Sequence, residues 1–132
     1  MNEWKPSLAE GLKLLSIAEK TADSKKFTGS IRYNLAAMGF EKCVISVCAI
    51  NDTLPENHTL TDLMDILTRF IPVDQESKMN ILKYENVQML CSINDYQREM
   101  PSDFDTNNFI ESTSHLCNKM ACYCRQSCTV EV

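Results

Sequence analysis

Residues 30–50, SIRYNLAAMGFEKCVISVCAI, decide the fold. The stretch has no proline, and at helical spacing Ile31, Leu35, Met38, Val44, Ile45, Val47 and Cys48 spread over more than half of the circumference. A surface helix carries one narrow apolar stripe, whereas a helix that is apolar on most sides is packed between neighbours. The sequence therefore predicts a central helix, ending near Ile50, on which the rest of the chain packs. Its few polar positions, Arg32, Asn34, Glu41 and Lys42, are informative because so little of the stretch is polar.

On the N-terminal side, residues 1–6 read as a leader with Trp4 folded back onto the bundle. Pro6 and Ser7 open a first helix, since Ser7 followed by Glu10 has capping-box spacing. Leu8, Leu12, Leu15 and Ala18 recur at helical spacing to about Ala22. Gly11 within this helix costs roughly 1 kcal/mol relative to alanine, unless a close helix approach needs it. Thr28 or Ser30 caps the central helix. The turn-rich stretch 51–57 follows it, and Thr59 with Asp62 opens a third helix whose core face is Leu60, Leu63, Leu67 and Phe70. Pro72 ends that helix, and Asp74 caps a fourth, with Met79, Leu82, Val87, Leu90 and Ile93 as its apolar positions. Residues 94–107 are polar, contain Pro101 and read as a connection. A last helix runs from about Asn108 to Gln126 through Phe109, Thr113, Leu116, Met120 and Tyr123 or Cys124. No repeat or linker divides the chain. The predicted architecture is one all-α domain, an up-and-down antiparallel bundle of four to five helices.

Composition narrows the function. With 132 residues the chain can bury a core without staples, and only three glycines and four prolines leave little punctuation for many short strands. The net charge of −5 and the absence of any basic cluster beyond Lys25–Lys26 argue against an extended nucleic-acid surface. The start of the chain lacks the basic-then-apolar order of a signal peptide, and no uncharged apolar run is long enough for a membrane span, so a cytoplasmic protein is expected. The seven cysteines are an odd number placed mostly inside helical patterns, as expected for reduced, buried thiols.

Three segments, taken together, resemble the HEPN domain (higher eukaryotes and prokaryotes nucleotide-binding). Tyr33 to Lys42, YNLAAMGFEK, is similar to its aromatic residue followed by a small-residue helix with a Glu-Lys pair. Asn57 to Leu63, NHTLTDL, resembles its His-x-Leu opening of the third helix. Tyr96 to Asp103, YQREMPSD, looks like the segment before its last helix. The resemblance covers about residues 7–125. It implies an all-α bundle, usually homodimeric, that binds a nucleotide or a partner nucleotidyltransferase, often as half of a toxin–antitoxin pair. Members that are ribonucleases carry Arg-x(4–6)-His, which this chain lacks, so ribonuclease activity is not expected and no catalytic residue is assigned. The position of a second helical lysine is Ile45 here, and that of a tyrosine before the proline is Met100.

The candidate ligand-binding residues are accordingly Glu41, Lys42, His58, Tyr96 and Arg98. Each also has an ordinary structural role open to it. Glu41 and Lys42 suit an ion pair at the bundle edge, worth under about 1 kcal/mol. His58 suits either a helix entry or an anion held at the free N–H groups of the third helix. Arg98 offers the planar fork that recognises phosphate or carboxylate, and Tyr96 can instead anchor the loop. The spacings among Cys117, Cys122, Cys124 and Cys128 do not reproduce a structural zinc site, and His115 reads as solvated. No metal or cofactor is expected. The alternative is a helical adaptor that binds another protein through an apolar patch.

Overall fold

Helix boundaries are set by local chemistry at each end. The computed structural model describes residues 4–23, 27–83, 85 and 102–129, with the backbone alone for 128 and 129. Helix α1 spans Trp4–Lys20, earlier than the Ser7–Glu10 spacing suggests. Pro6 sits in its first turn, where a missing N–H costs nothing because those donors have no partner within the helix. Ser7 is thus inside the helix rather than its cap, and Trp4 joins the core at 6% exposure. Helix α2 spans Gly29–Ile50, and the Thr28 hydroxyl accepts from Ile31 N–H at 3.4 Å. Helix α3 spans Leu60–Leu67, where Thr59 accepts from Asp62 N–H at 3.2 Å, and the chain continues as a turn before Pro72.

Helix α4 is short, Gln75–Leu82. Its buried apolar residue is Ile81, whereas Met79, expected in the core, is 62% exposed. Val87, Leu90 and Ile93 lie outside the described residues. Asp74 accepts from Ser77 N–H at 3.0 Å, and that bond, with the Ser77 hydroxyl and nearby His115, holds its carboxyl below the ordinary 3.8. A depressed folded-state value means that the cap stabilises the protein above the unfolded value and is lost as pH falls through the folded one. Asp74→Ala is therefore expected to lower the unfolding midpoint at neutral pH, and the difference from wild type should shrink below pH about 4 in thermal melts across pH.

Helix α5 spans Asp103–Thr129, longer at both ends than the sequence suggests. The Ser102 hydroxyl accepts from Asp105 N–H at 3.1 Å, so the polar residues read as loop are its first turn. The described residues thus form an all-α bundle of five helices without strands. Helix α2 lies at its centre, against α1, α3 and α5. Phe40, Val44 and Val47 from α2 meet Leu63, Met64 and Leu67 from α3 and Phe109, Leu116 and Met120 from α5 in one continuous core. The Tyr33 ring stacks on Phe109 with centroids 4.1 Å apart, which fixes α2 and α5 side by side and parallel, with Ser46 beside Cys124 further along.

Helix α1 runs antiparallel to α2 and crosses it where two glycines meet. A Cβ on Gly11 would stand 2.7 Å from both the Gly39 carbonyl oxygen and Cys43 Sγ, and one on Gly39 would stand 2.8 Å from the Gly11 carbonyl. The central helix is not covered all round, however. Ile31 and Met38 are 42% and 51% exposed, so α2 keeps one outward stripe. By length and composition alone α2 could cross a membrane; half of its most apolar window is buried inside the bundle, and a core helix gives the same signature.

Candidate functional site

The helix α2 and the turn before α3 bring two of the resemblance segments into contact. His58 Nδ1 lies 2.7 Å from Glu41 Oε1. The pair is open to solvent, with side chains 63% and 32% exposed, so its contribution to stability is small and the imidazole edge remains accessible. Thr59 caps α3 next to it, placing the positive end of that helix beside the imidazole. The loop and α3 also enclose a cleft of about 210 Å³, lined by residues including Glu56, Asn57, Asp62, Asp65 and Arg69. Three carboxylates against one guanidinium make it acidic, a better match for a cationic group than for bare phosphate.

Lys42 does not join this pair. Consecutive helical residues point about 100° apart, so when Glu41 faces the α3 side, Lys42 faces α1. There its Nζ is 3.8 Å from Glu10 Oε2. Tyr96 and Arg98, the remaining candidates, lie outside the described residues.

Two interior polar residues take roles that sequence reasoning did not assign. Glu85, 7% exposed, accepts from Thr61 N–H at 2.7 Å and from its hydroxyl at 2.5 Å. Thr61 is in the first turn of α3, where N–H groups have no partner within the helix, so Glu85 closes the start of that helix from a distance. Arg32, 5% exposed, donates from Nε to the Ala18 carbonyl at 3.0 Å and from Nη1 to Asn107 Oδ1 at 3.0 Å. It joins the end of α1 to the start of α5. Its polarity within an apolar helix was visible in the sequence; its partners were not.

The described cysteines are buried, as expected, with one exception. Cys43, Cys48, Cys117 and Cys124 are buried and Cys122 is exposed. Burial raises the thiol pKa of Cys48, and burial together with the Cys43 thiol raises that of Cys117, so both stay protonated and unreactive. Among the described residues no group of His, Cys, Asp and Glu is arranged to hold a metal. His115 is exposed, as expected, with Nε2 3.7 Å from Asp74 Oδ1.

The face of α5 beside α4 and the turn after α3 carries two further features. A groove of about 400 Å³ lies between its C-terminal half and the turn after α3, walled by Phe70, Ile71, Pro72 and Tyr123. Nearer its start, Glu111 joins Asp74 and Glu76 in an acidic recess. Comparison with known protein families, with curated proteins and with solved structures finds no match.

Proposed function

We propose that this chain is a non-catalytic, HEPN-like binding domain that acts as a homodimer and engages a nucleotide or a partner nucleotidyltransferase, in the manner of a toxin–antitoxin-type pair. The observation that carries the reading is the 2.7 Å contact between His58 and Glu41, which ties the Glu-Lys segment of α2 to the His-x-Leu opening of α3 within an all-α bundle. His58 is the exposed polar centre of that junction. The acidic cleft beside it favours the protein partner over a bare phosphate, and Lys42 holds α1 through Glu10 rather than the ligand. The adaptor reading draws on the exposed Met38, Leu54, Met79 and Phe104 instead.

Thermal unfolding with a nucleotide panel tests the nucleotide arm. A ligand that binds only the folded state, at a hundred times its dissociation constant, stabilises by about 2.7 kcal/mol, or roughly 5–15 °C for a chain of this size. A rise of that order that disappears in His58→Ala and persists in Lys42→Ala is the expected result. A rise untouched by His58→Ala places the nucleotide elsewhere. No rise with any nucleotide removes that arm and leaves the protein partner.

A further inference from the structure

Helix α5 presents an outward face whose two ends are complementary to one another. At 100° per residue, Phe104, Glu111, His115 and Cys122 fall in one line, opposite the buried Thr113, Leu116 and Met120. Phe104 stands at one end and is 74% exposed, the most exposed large apolar side chain among the described residues. At the other end is the apolar groove of about 400 Å³ beside Cys122 and Tyr123, which none of the described residues fills. Between them the charge changes sign along the helix. The acidic recess of Asp74, Glu76 and Glu111 lies toward Phe104, and Lys119 lies toward the groove. A knob, an acidic patch, a basic residue and a hole therefore follow in order along one ridge.

We infer that this ridge is the dimer face, with a second copy of the chain as its occupant. A two-fold axis through His115 sets α5 antiparallel to its counterpart. Positions equally far from the axis then face each other: Glu111 opposite Lys119 of the other protomer, and Phe104 opposite Gln126 at the mouth of the groove. One rotation satisfies both the apolar and the charged pairings twice, which is the property of a closed, self-complementary interface. The line from Phe104 to Gln126 is about 33 Å long at 1.5 Å per residue. Lys119 is held for this contact, since its Nζ already donates to the Pro72 carbonyl at 3.0 Å and so stands at the groove edge. The inference rests on the homodimeric part of the proposed function and adds the surface that performs it.

Sedimentation equilibrium of the full chain and of four variants decides it. Phe104→Asp should raise the dimer dissociation constant at least about 30-fold, the scale of an interface hot spot. Because Phe104 is so exposed, the variant should keep the wild-type melting curve when fully monomeric. Glu111→Lys and Lys119→Glu should each weaken the dimer about tenfold, and the double reversal should restore it to within about threefold, since opposite charges again face each other. A structural effect of either charge change would not be rescued in this way. A dimer indifferent to all four changes would overturn the α5 surface and leave the homodimer to another face. A wild-type chain that is monomeric at tens of micromolar would overturn both, while the nucleotide melts remain an independent test of binding.

Discussion

Gly11→Ala and Gly39→Ala should each destabilise the protein, by about 1–3 kcal/mol, although alanine is the better helix former by about 1 kcal/mol. The reason is what the new methyl group meets. At Gly11 it would be 2.7 Å from the Gly39 carbonyl oxygen and 3.1 Å from Cys43 N, and at Gly39 it would be 2.8 Å from the Gly11 carbonyl. These are backbone atoms of the facing helix, which cannot swing aside as a side-chain end can. The helices must separate, and separation loosens Leu15, Phe40 and Cys43, all buried at this crossing. The double variant is the sharper test. Once one methyl group has pushed α1 from α2, the second enters space already opened, so the combined loss should be well below the sum of the two. Urea unfolding of the four proteins gives the coupling directly. Additive losses would mean that each glycine is needed for its own site alone. A gain in stability on either substitution would show that α1 and α2 do not approach so closely.

The glycine pair marks the limit of what the sequence carried. Gly11 was visible as an anomaly in a helix and Gly39 as one small residue among others, but the contact between them is a property of the crossing. Where the controlling chemistry is local, sequence and structure agree. Thr28, Thr59 and Asp74 each accept from a backbone N–H three residues on, and the apolar coverage of residues 30–50 did identify the central helix. Local chemistry also misled when two explanations shared one composition. The acidic residues Asp103 and Asp105 after Pro101 resemble a polar loop, yet acidic side chains are also what the first turn of a helix favours. In the short helix α4 there was too little length for periodicity to choose Ile81 over Met79. Of the candidate site, Glu41 and His58 were each named as ligand-binding residues, but the contact between them was not anticipated, since they lie 17 residues apart on different elements. The separation of Lys42 from Glu41 was legible in helical geometry, because neighbours in a helix diverge, yet the two were read together as one site or one edge ion pair. Glu85 was not legible, because the start of α3 that it closes lies 24 residues away in the chain.

Arg32→Ala is expected to destabilise the fold by about 3 kcal/mol, within the range for breaking buried charge-assisted contacts. Arg32 is nearly excluded from solvent, and no carboxylate among the described residues pairs with it. Its charge is instead met by carbonyl and amide oxygens: Ala18, in the last turn of α1, and Asn107 on α5, both at 3.0 Å. The negative end of the α1 dipole stabilises a cation there. Among the described residues, removing the guanidinium leaves the Ala18 carbonyl with just the 3.4 Å contact from the Thr21 hydroxyl, and it opens a cavity between three helices. Arg32→Lys separates the two contributions. A lysine keeps the charge near the α1 terminus, but one ammonium cannot donate to both oxygens in the directions fixed by a planar fork. It should recover less than half of the loss. Arg32→Met is the informative third variant, because it keeps volume and removes both charge and donors. If the guanidinium mainly satisfies the Ala18 and Asn107 oxygens, methionine should be close to alanine in the urea midpoint. If its main effect is to fill space, methionine should approach or exceed wild type, as apolar replacements of buried ions do elsewhere. The first outcome is expected, since Asn107 is itself exposed and can turn to water, whereas the Ala18 carbonyl belongs to a helix end against which α2 is packed.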